Sequence, residues 1–136
     1  MTQTESGHPD PQLAHYYPKW LDNLADDVTL EGSMMDGLVQ GPEAVRTVLV
    51  AIRGVYDYQN FHFAGPYGGD GWLEEYTAGV RGEPIGNFTV INSNAAGQAQ
   101  RIVGNYRPRS MVLRLSRLIG EKLAGTPYAE HFAAGE

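Results

Sequence analysis

The spacing of apolar residues changes twice along this chain, and these changes limit the folds that it can adopt. Residues 45–56 repeat apolar side chains every three or four positions, as on one face of a helix. Residues 58–107 alternate apolar and polar side chains in segments separated by glycine and proline clusters. Helical spacing returns over residues 109–123. This order predicts an α+β domain in which an antiparallel meander packs against helices.

Two shorter elements are predicted before the meander. A helix is expected from Pro18 to Leu24, because aromatic and leucine side chains recur there at helical spacing and proline suits a first helical turn. A short strand is expected over residues 28–32. The sequence Gly41-Pro42-Glu43 then predicts the start of a second helix, since an acidic side chain is favoured near a helix N-terminus.

The length of 136 residues suits one domain with a single core. Residues 1–12 contain two prolines and few apolar side chains, which predicts a flexible N-terminal arm. The domain is expected over residues 13–124, with its last helix at 109–124. Residues 125–136 form a predicted tail, which Tyr128 and Phe132 should anchor.

Composition excludes several classes of function. The chain has no cysteine, and its four histidines show no metal-ligand spacing, so neither a metal nor another cofactor is expected. No apolar run is long enough to span a membrane and no secretion signal is evident, which predicts a cytoplasmic protein. Residues 1–100 carry 13 acidic and 4 basic side chains, which argues against nucleic-acid binding.

The basic residues are concentrated near the C-terminus. Residues 101–136 carry 6 basic and 3 acidic side chains. Two interpretations remain open: a solvated helix face, or a surface that docks an acidic partner such as a second copy of the chain.

The stretch from Leu24 to Val45 combines an Asp-Asp pair, a strand and the Gly-Pro-Glu helix start. This order resembles the entry to the NTF2-like, or SnoaL-like, superfamily, and the resemblance extends over residues 18–108. It implies a cone in which a curved antiparallel sheet wraps around N-terminal helices, here with an added C-terminal amphipathic helix. Relatives include ketosteroid isomerases, polyketide cyclases and limonene epoxide hydrolases. The resemblance therefore implies an apolar pocket for a hydrophobic small molecule, and homodimerisation through the sheet.

The catalytic residues of ketosteroid isomerases have no counterparts in this sequence. The position of their general base falls on Gly32, while the neighbouring Glu31 should point to the other face of the strand. Asp36 is an acid in the same region, but it lies further into a loop. The position of their second acid falls near Thr89, and that of their tyrosine falls before Leu13. The acids used by the cyclases and epoxide hydrolases are not matched either.

Glu74 is the strongest candidate for acid-base chemistry. It lies between Trp72 and Tyr76 on the bulkier face of its predicted strand. If that face points inward, burial raises the pKa of the carboxyl group and suits it to proton transfer near neutral pH. The alternative is that this face forms a dimer surface.

Other candidate site residues are weaker. His62 alternates with Phe61 and Phe63, so it should face away from the phenylalanines, into either a cavity or an interface. The catalytic candidates are thus Glu74, His62 and Asp36. The predicted ligand-binding residues are Trp20, Trp72, Tyr76, Asn87, Asn105 and Arg107.

Two functions are compatible with the sequence. The first is a SnoaL-like pocket protein that binds a hydrophobic ligand, with possible acid-base catalysis on a polyketide- or steroid-like substrate. The alternative is a non-catalytic homodimeric module for ligand binding or interaction. In either case we hypothesise that the helix after Pro108 covers the open end of the cone, in its own subunit or in a partner's.

Overall fold

The structure of the protein is a computed structural model, which describes residues 9–132. In chain order the main elements are β1 (Leu24–Gly32), β2 (Val39–Gln40), α1 (Pro42–Gly54), β3 (Tyr56–Tyr67), β4 (Gly71–Val80), β5 (Glu83–Ser93), β6 (Ala99–Arg107) and α2 (Arg109–Lys122). Short 3₁₀ turns lie at Pro11–Leu13, Lys19–Asp22 and Ala129–His131.

The strands form one six-stranded sheet in the order β2-β1-β6-β5-β4-β3. Strands β3 to β6 are the antiparallel meander that the alternating residues predicted. However, β1 runs parallel to β6, so the complete sheet is mixed and mostly antiparallel. The chain leaves β1 through β2 and α1, and it enters the sheet again at the far edge as β3. Three reversals then leave β6 beside β1 and running in the same direction.

Several strands depart from regular pairing. The register shifts within β1, twice within β3, and between β5 and β6. Such bulges bend a strand and increase its twist, so they favour the curved sheet that the sequence predicted.

The core lies on one face of this sheet, where both helices pack. The spacing of apolar residues in α1 and α2 is that of an amphipathic helix, and each helix buries its apolar stripe. The Gly-Pro-Glu start of α1 is confirmed, with Gly41 at a φ of 100° as the N-cap. The largest fully buried apolar side chains are Val28, Leu30, Val45, Val48, Val80, Ile85, Ile91, Ile102, Leu115 and Ile119.

The helix predicted from Pro18 to Leu24 is wrong. Only Lys19–Asp22 turns, as a 3₁₀ helix, and β1 already begins at Leu24, which pairs with Ala99. The aromatic residues that suggested a helical face are held by tertiary hydrogen bonds instead. The spacing of the aromatic residues is the same for a buried helix face and for side chains held by distant partners, so the local sequence could not distinguish the two.

The C-terminal segment packs against the domain. Phe132 is buried, and His131 accepts a backbone hydrogen bond from Asp36 over 2.7 Å. Most of the predicted N-terminal arm, residues 1–8, and the final residues 133–136 lie outside the described residues.

Candidate functional site

Glu74 lies on the inner face of β4 and is only 2% exposed. The next residue along the strand, Glu75, points to the opposite, outer face. There its Oε2 forms an ion pair with Nη2 of Arg107 over 3.4 Å. The structure therefore confirms that Glu74, and not Glu75, is the buried member of this pair. An acid in such a position needs hydrogen-bond donors.

Two aromatic donors hold one carboxylate oxygen of Glu74. Tyr16 donates from its hydroxyl to Oε2 over 2.5 Å, and Trp20 donates from Nε1 to the same oxygen over 2.9 Å. Behind them, Nε1 of Trp72 donates to the hydroxyl of Tyr16 over 2.9 Å. Among the described residues, no hydrogen bond falls on Oε1 of Glu74, so this oxygen is available to exchange a proton.

Burial sets the acid-base properties of this group. Desolvation raises the pKa of Glu74 above its ordinary value, although the hydrogen bonds from Tyr16 and Trp20 oppose the rise. Desolvation and the adjacent Glu74 also raise the pKa of Tyr16, so its hydroxyl keeps its proton and remains a donor. A carboxyl group with a raised pKa is suited to general acid-base catalysis.

Glu74 lines a small apolar cavity of ≈ 50 Å³ between the sheet and α1. This volume holds a few water molecules, whereas ligand pockets typically measure about 300–1,000 Å³. A steroid-sized molecule therefore does not fit the cavity as it stands. The lining residues are Pro18, Trp20, Leu21, Leu30, Met34, Leu49, Ile52, Arg53, Gln59, Glu74, Tyr76, Thr89, Ile102, Gly104 and Tyr106.

Residues 16–21, here named the strap, separate this cavity from a wider depression outside. The depression measures ≈ 720 Å³, and Tyr16, Trp20 and Trp72 form part of its wall. Trp20 lines both spaces. The hypothesis that α2 covers the opening within its own chain is wrong, because no residue of α2 lines the cavity. The buried stripe of α2 is used in the core, and the strap takes the covering position.

Three tyrosine hydroxyl groups form a cluster at the inner end of the site. The hydroxyl of Tyr56 lies 2.7 Å from those of Tyr76 and Tyr106. Burial raises the pKa of all three, so they remain protonated. Two short hydrogen bonds use two of the three protons, and the hydroxyls of Tyr76 and Tyr106 also lie 3.4 Å apart, within reach of a third and longer bond. Because Tyr76 and Tyr106 both line the cavity, an acceptor atom of a ligand there competes with this longer bond for the third proton.

Four of the six predicted ligand-binding residues lie on the inner side of the sheet, and the other two lie on its outer face. Trp20 and Tyr76 line the cavity, and Trp72 lines the outer depression. Asn87 is fully buried on the inner face, directly between Tyr76 and Tyr106 in the sheet register. These four residues are brought together around Glu74 and the tyrosine cluster.

Asn105 and Arg107 are not part of this group. Both lie on the outer face of β6, where Asn105 pairs with Phe88 and the guanidinium of Arg107 stacks 4.8 Å above the Phe88 ring. Arg107 also pairs with Glu75. The inner face of β6 instead presents Gly104 and Tyr106.

The two weaker catalytic candidates also lie apart from Glu74. His62 occupies the outer face of β3, where its Nε2 is 2.7 Å from Oγ1 of Thr77. A register shift between Phe61 and Phe63 puts Phe63 on the outer face as well, so the expectation that His62 faces away from both phenylalanines is wrong for Phe63. Asp36 lies in the exposed loop after β1, and its carbonyl oxygen is 2.8 Å from Nδ1 of His131. Neither residue lines the cavity.

Sequence reasoning missed several residues that the fold brings to the site: Tyr16, Arg53, Tyr56 and Tyr106. Tyr106 could have been found by reading the even-numbered positions of β6 as the inner face. The aromatic residues of the strap have helical spacing, which suggested a helix and gave no signal for the contact between Tyr16 and Glu74.

Residues 9–132 contain neither a metal-binding cluster nor a membrane-spanning helix. No group of three or more His, Asp or Glu side chains in this part of the chain could hold a metal ion. None of its helices has the length and hydrophobicity required to cross a membrane.

No model of a known protein family and no curated protein matches the sequence. Solved structures do match its fold. An uncharacterised protein with a cystatin-like fold from Silicibacter pomeroyi has a TM-score of 0.74 at 19% identity, covering 84% of this chain and 83% of that one. A steroid delta-isomerase from Pseudomonas aeruginosa has a TM-score of 0.71 at 19% identity, covering 79% of each chain. An NTF-2 like protein of unknown function from Burkholderia xenovorans has a TM-score of 0.55 at 14% identity, covering 66% and 73%.

The fold is NTF2-like. Structures with this fold include a steroid delta-isomerase and proteins of unknown function, so the fold by itself does not assign an activity. The NTF2-like fold confirms the resemblance that the stretch from Leu24 to Val45 indicated.

Proposed function

We propose that this protein binds a small, largely apolar molecule in the cavity beneath the strap, and that Glu74 transfers a proton to or from it. The observation that carries this proposal is the state of the Glu74 carboxyl group. Oε2 is fixed by Tyr16 and Trp20, Oε1 has no hydrogen-bond donor among the described residues, and the pKa is raised by burial. A positioned acid with one free oxygen in an apolar cavity suits general acid-base catalysis.

The cavity must enlarge to admit a polyketide- or steroid-like substrate. Trp20 forms the wall that the cavity shares with the outer depression, so displacement of the strap joins the two spaces. Single-ring compounds need the smallest displacement. We therefore place small aromatic and alicyclic ketones first among candidate ligands, ahead of steroids.

The proposed proton transfer requires only Glu74 and the ketone, together with solvent water when the proton exchanges. Oε1 of Glu74 accepts a proton from the carbon next to a carbonyl group, and the carbonyl oxygen takes the resulting negative charge. A hydroxyl of the tyrosine cluster donates a hydrogen bond to that oxygen. Return of the proton to carbon completes an isomerisation or an exchange with solvent.

The test compares two adjacent glutamates on opposite faces of β4. A thermal-shift screen with ketones, phenols, fatty acids and steroids identifies ligands. Deuterium exchange of the bound ketone, followed by NMR in D₂O, then measures proton transfer. Glu74→Gln should abolish the exchange, while Glu75→Gln, which alters the outer face, should leave it unchanged. Equal exchange in both variants would exclude Glu74 as the base.

The alternative function is ligand binding without catalysis. It is supported by the absence of a second acid among the residues that line the cavity. It predicts a ligand that stabilises the protein yet undergoes no exchange, in the wild type as in Glu74→Gln.

A homodimer forms part of either proposal. The outer face of the sheet carries the exposed rings of Phe63 and Phe88, at 45% and 40% exposure, next to the apolar Leu73 and Val90. An exposed apolar patch of this kind favours association. Sedimentation should show a dimer that Phe88→Glu dissociates, whereas Leu113→Glu, on the exposed side of α2, should have no effect. A monomeric wild type would contradict this.

A further inference from the structure

The side-chain amide of Asn87 lies directly behind two residues that line the cavity, Thr89 and Gly104, and the proposed function does not use it. Asn87 is 0% exposed, and its Nδ2 has no hydrogen-bond partner among the described residues. A buried N–H group without a partner destabilises a protein by about 1–3 kcal/mol. Such a group in a native fold is expected to serve a purpose.

A hydrogen bond to the amide oxygen of Asn87 fixes the orientation of the amide group. The hydroxyl of Thr89 donates to Oδ1 of Asn87, which occupies the amide oxygen and leaves Nδ2 as the free end. Nδ2 can only donate a hydrogen bond, so its missing partner must be an acceptor.

Gly104 creates the space for that acceptor. A Cβ at Gly104 would lie 3.5 Å from Nδ2 of Asn87 and 3.5 Å from Oγ1 of Thr89. Gly104 and Thr89 both line the cavity. The absence of a side chain at Gly104 therefore leaves a hollow, and a ligand atom resting in this hollow lies next to the free amide.

The sheet register sets the distance between this hollow and Glu74. Glu74 pairs with Thr89, and Thr89 pairs with Gly104, on three neighbouring strands. With strands about 4.8 Å apart, the backbone at Gly104 lies about 10 Å from that at Glu74. The long glutamate side chain spans part of this gap, so one small ring bridges the rest once the strap is displaced.

We propose that Asn87 and Gly104 form a subsite for a neutral carbonyl oxygen, which rests over Gly104 and accepts a hydrogen bond from Nδ2 of Asn87. This inference rests on the proposed function and narrows its ligand to compounds with a carbonyl group next to one apolar ring. A carboxylate is disfavoured here, because it would bury a second acid near Glu74. The cation that lines the cavity, Arg53, lies on α1 and not on the sheet that forms the subsite.

The test uses two ligands of the same shape. Acetophenone carries the carbonyl oxygen, and α-methylstyrene replaces that oxygen with a CH₂ group. We expect the wild type to bind acetophenone about tenfold more tightly, because one hydrogen bond to a buried donor contributes about 1.4 kcal/mol. Saturation with acetophenone, but not with α-methylstyrene, should shift the side-chain ¹⁵N–¹H resonances of Asn87.

A matched pair of glycine variants tests the hollow. Gly104→Ala meets only ordinary contacts at 3.5 Å, so it should fold while its methyl group fills the space, and it should remove the tenfold preference. Gly69→Ala, in an open turn with nothing within 4 Å, should keep it. Asn87→Leu should also bind both ligands equally, and the Asn87 resonances of the wild type give an independent reading if this variant does not fold.

The outcomes separate this inference from the proposed function. Equal affinity of the wild type for the two ligands overturns the subsite, as does an unchanged preference in Gly104→Ala; pocket binding then still stands. If no compound of the wider screen binds, the pocket itself is wrong and the subsite fails with it.

Discussion

Gly32 and Gly104 face each other across β1 and β6, and a Cβ on Gly32 would overlap the carbonyl oxygen of Gly104. Gly32 occupies the position at which the resemblance to ketosteroid isomerases places a catalytic acid. The close approach of the two strands therefore excludes a side chain where those enzymes use one.

This contact predicts that an isomerase-like base cannot be restored by one substitution. Gly32→Asp should lower the free energy of unfolding by about 1–3 kcal/mol or more, because the strands must separate to admit the side chain. Gly69→Asp, in an open turn, is the matched control and should change stability little. Urea denaturation measures both, and a fully stable Gly32→Asp protein would contradict the contact.

Burial of Glu74 predicts a particular dependence of stability on pH. Because the folded pKa is raised, the neutral carboxyl group is favoured in the folded state, and its contribution is complete below the ordinary pKa of about 4.5. That contribution is lost as the pH rises through the folded pKa. The melting temperature of Glu74→Gln minus that of the wild type should therefore increase over this range. Each unit of pKa shift corresponds to about 1.4 kcal/mol.

Glu75→Gln is the control for this measurement, since its side chain lies on the outer face. It should not reproduce the increase. A difference between Glu74→Gln and the wild type that stays constant with pH would show that Glu74 titrates normally.

The hydrogen bond from Tyr16 predicts a shift in the titration of Glu74. Tyr16→Phe removes a donor that lowers the pKa of Glu74, so this pKa should rise further. Trp20 and Trp72 lie beside the carboxyl group, so their fluorescence as a function of pH should report the change. Tyr17→Phe removes only an exposed 3.2 Å bond to Asp22 and should leave the curve in place. Coincident curves for the two variants would exclude the proposed role of Tyr16.

The C-terminal helix should prove to be part of the core. Leu115→Ala should destabilise the protein by about 2–5 kcal/mol, because this side chain is fully buried. Leu113 lies two residues away and is 51% exposed, so Leu113→Ala should change stability by no more than about 0.5 kcal/mol. Chemical denaturation of both variants decides the matter, and similar losses would mean that α2 does not pack as described.

Where local pattern determined structure, the sequence was sufficient. Alternation fixed the meander and placed Glu74 opposite Glu75, and the Gly-Pro-Glu motif fixed the start of α1. Local pattern failed between Pro18 and Leu24, where aromatic spacing suggested a helix. Trp20 in this segment, and Tyr16 just before it, are positioned by hydrogen bonds to Glu74, which is more than fifty residues away in the chain.

The sequence by itself determined the NTF2-like order of elements and the placement of Glu74 and Glu75 on opposite faces of β4. Periodicity carries that information, because each strand or helix must bury one face. Only the tertiary structure decided which face of β4 is buried and which residues surround Glu74. The strap donors, the tyrosine cluster and the hollow at Gly104 come from strands and turns that are distant in sequence, and their meeting depends on sheet register and curvature, which local spacing does not encode.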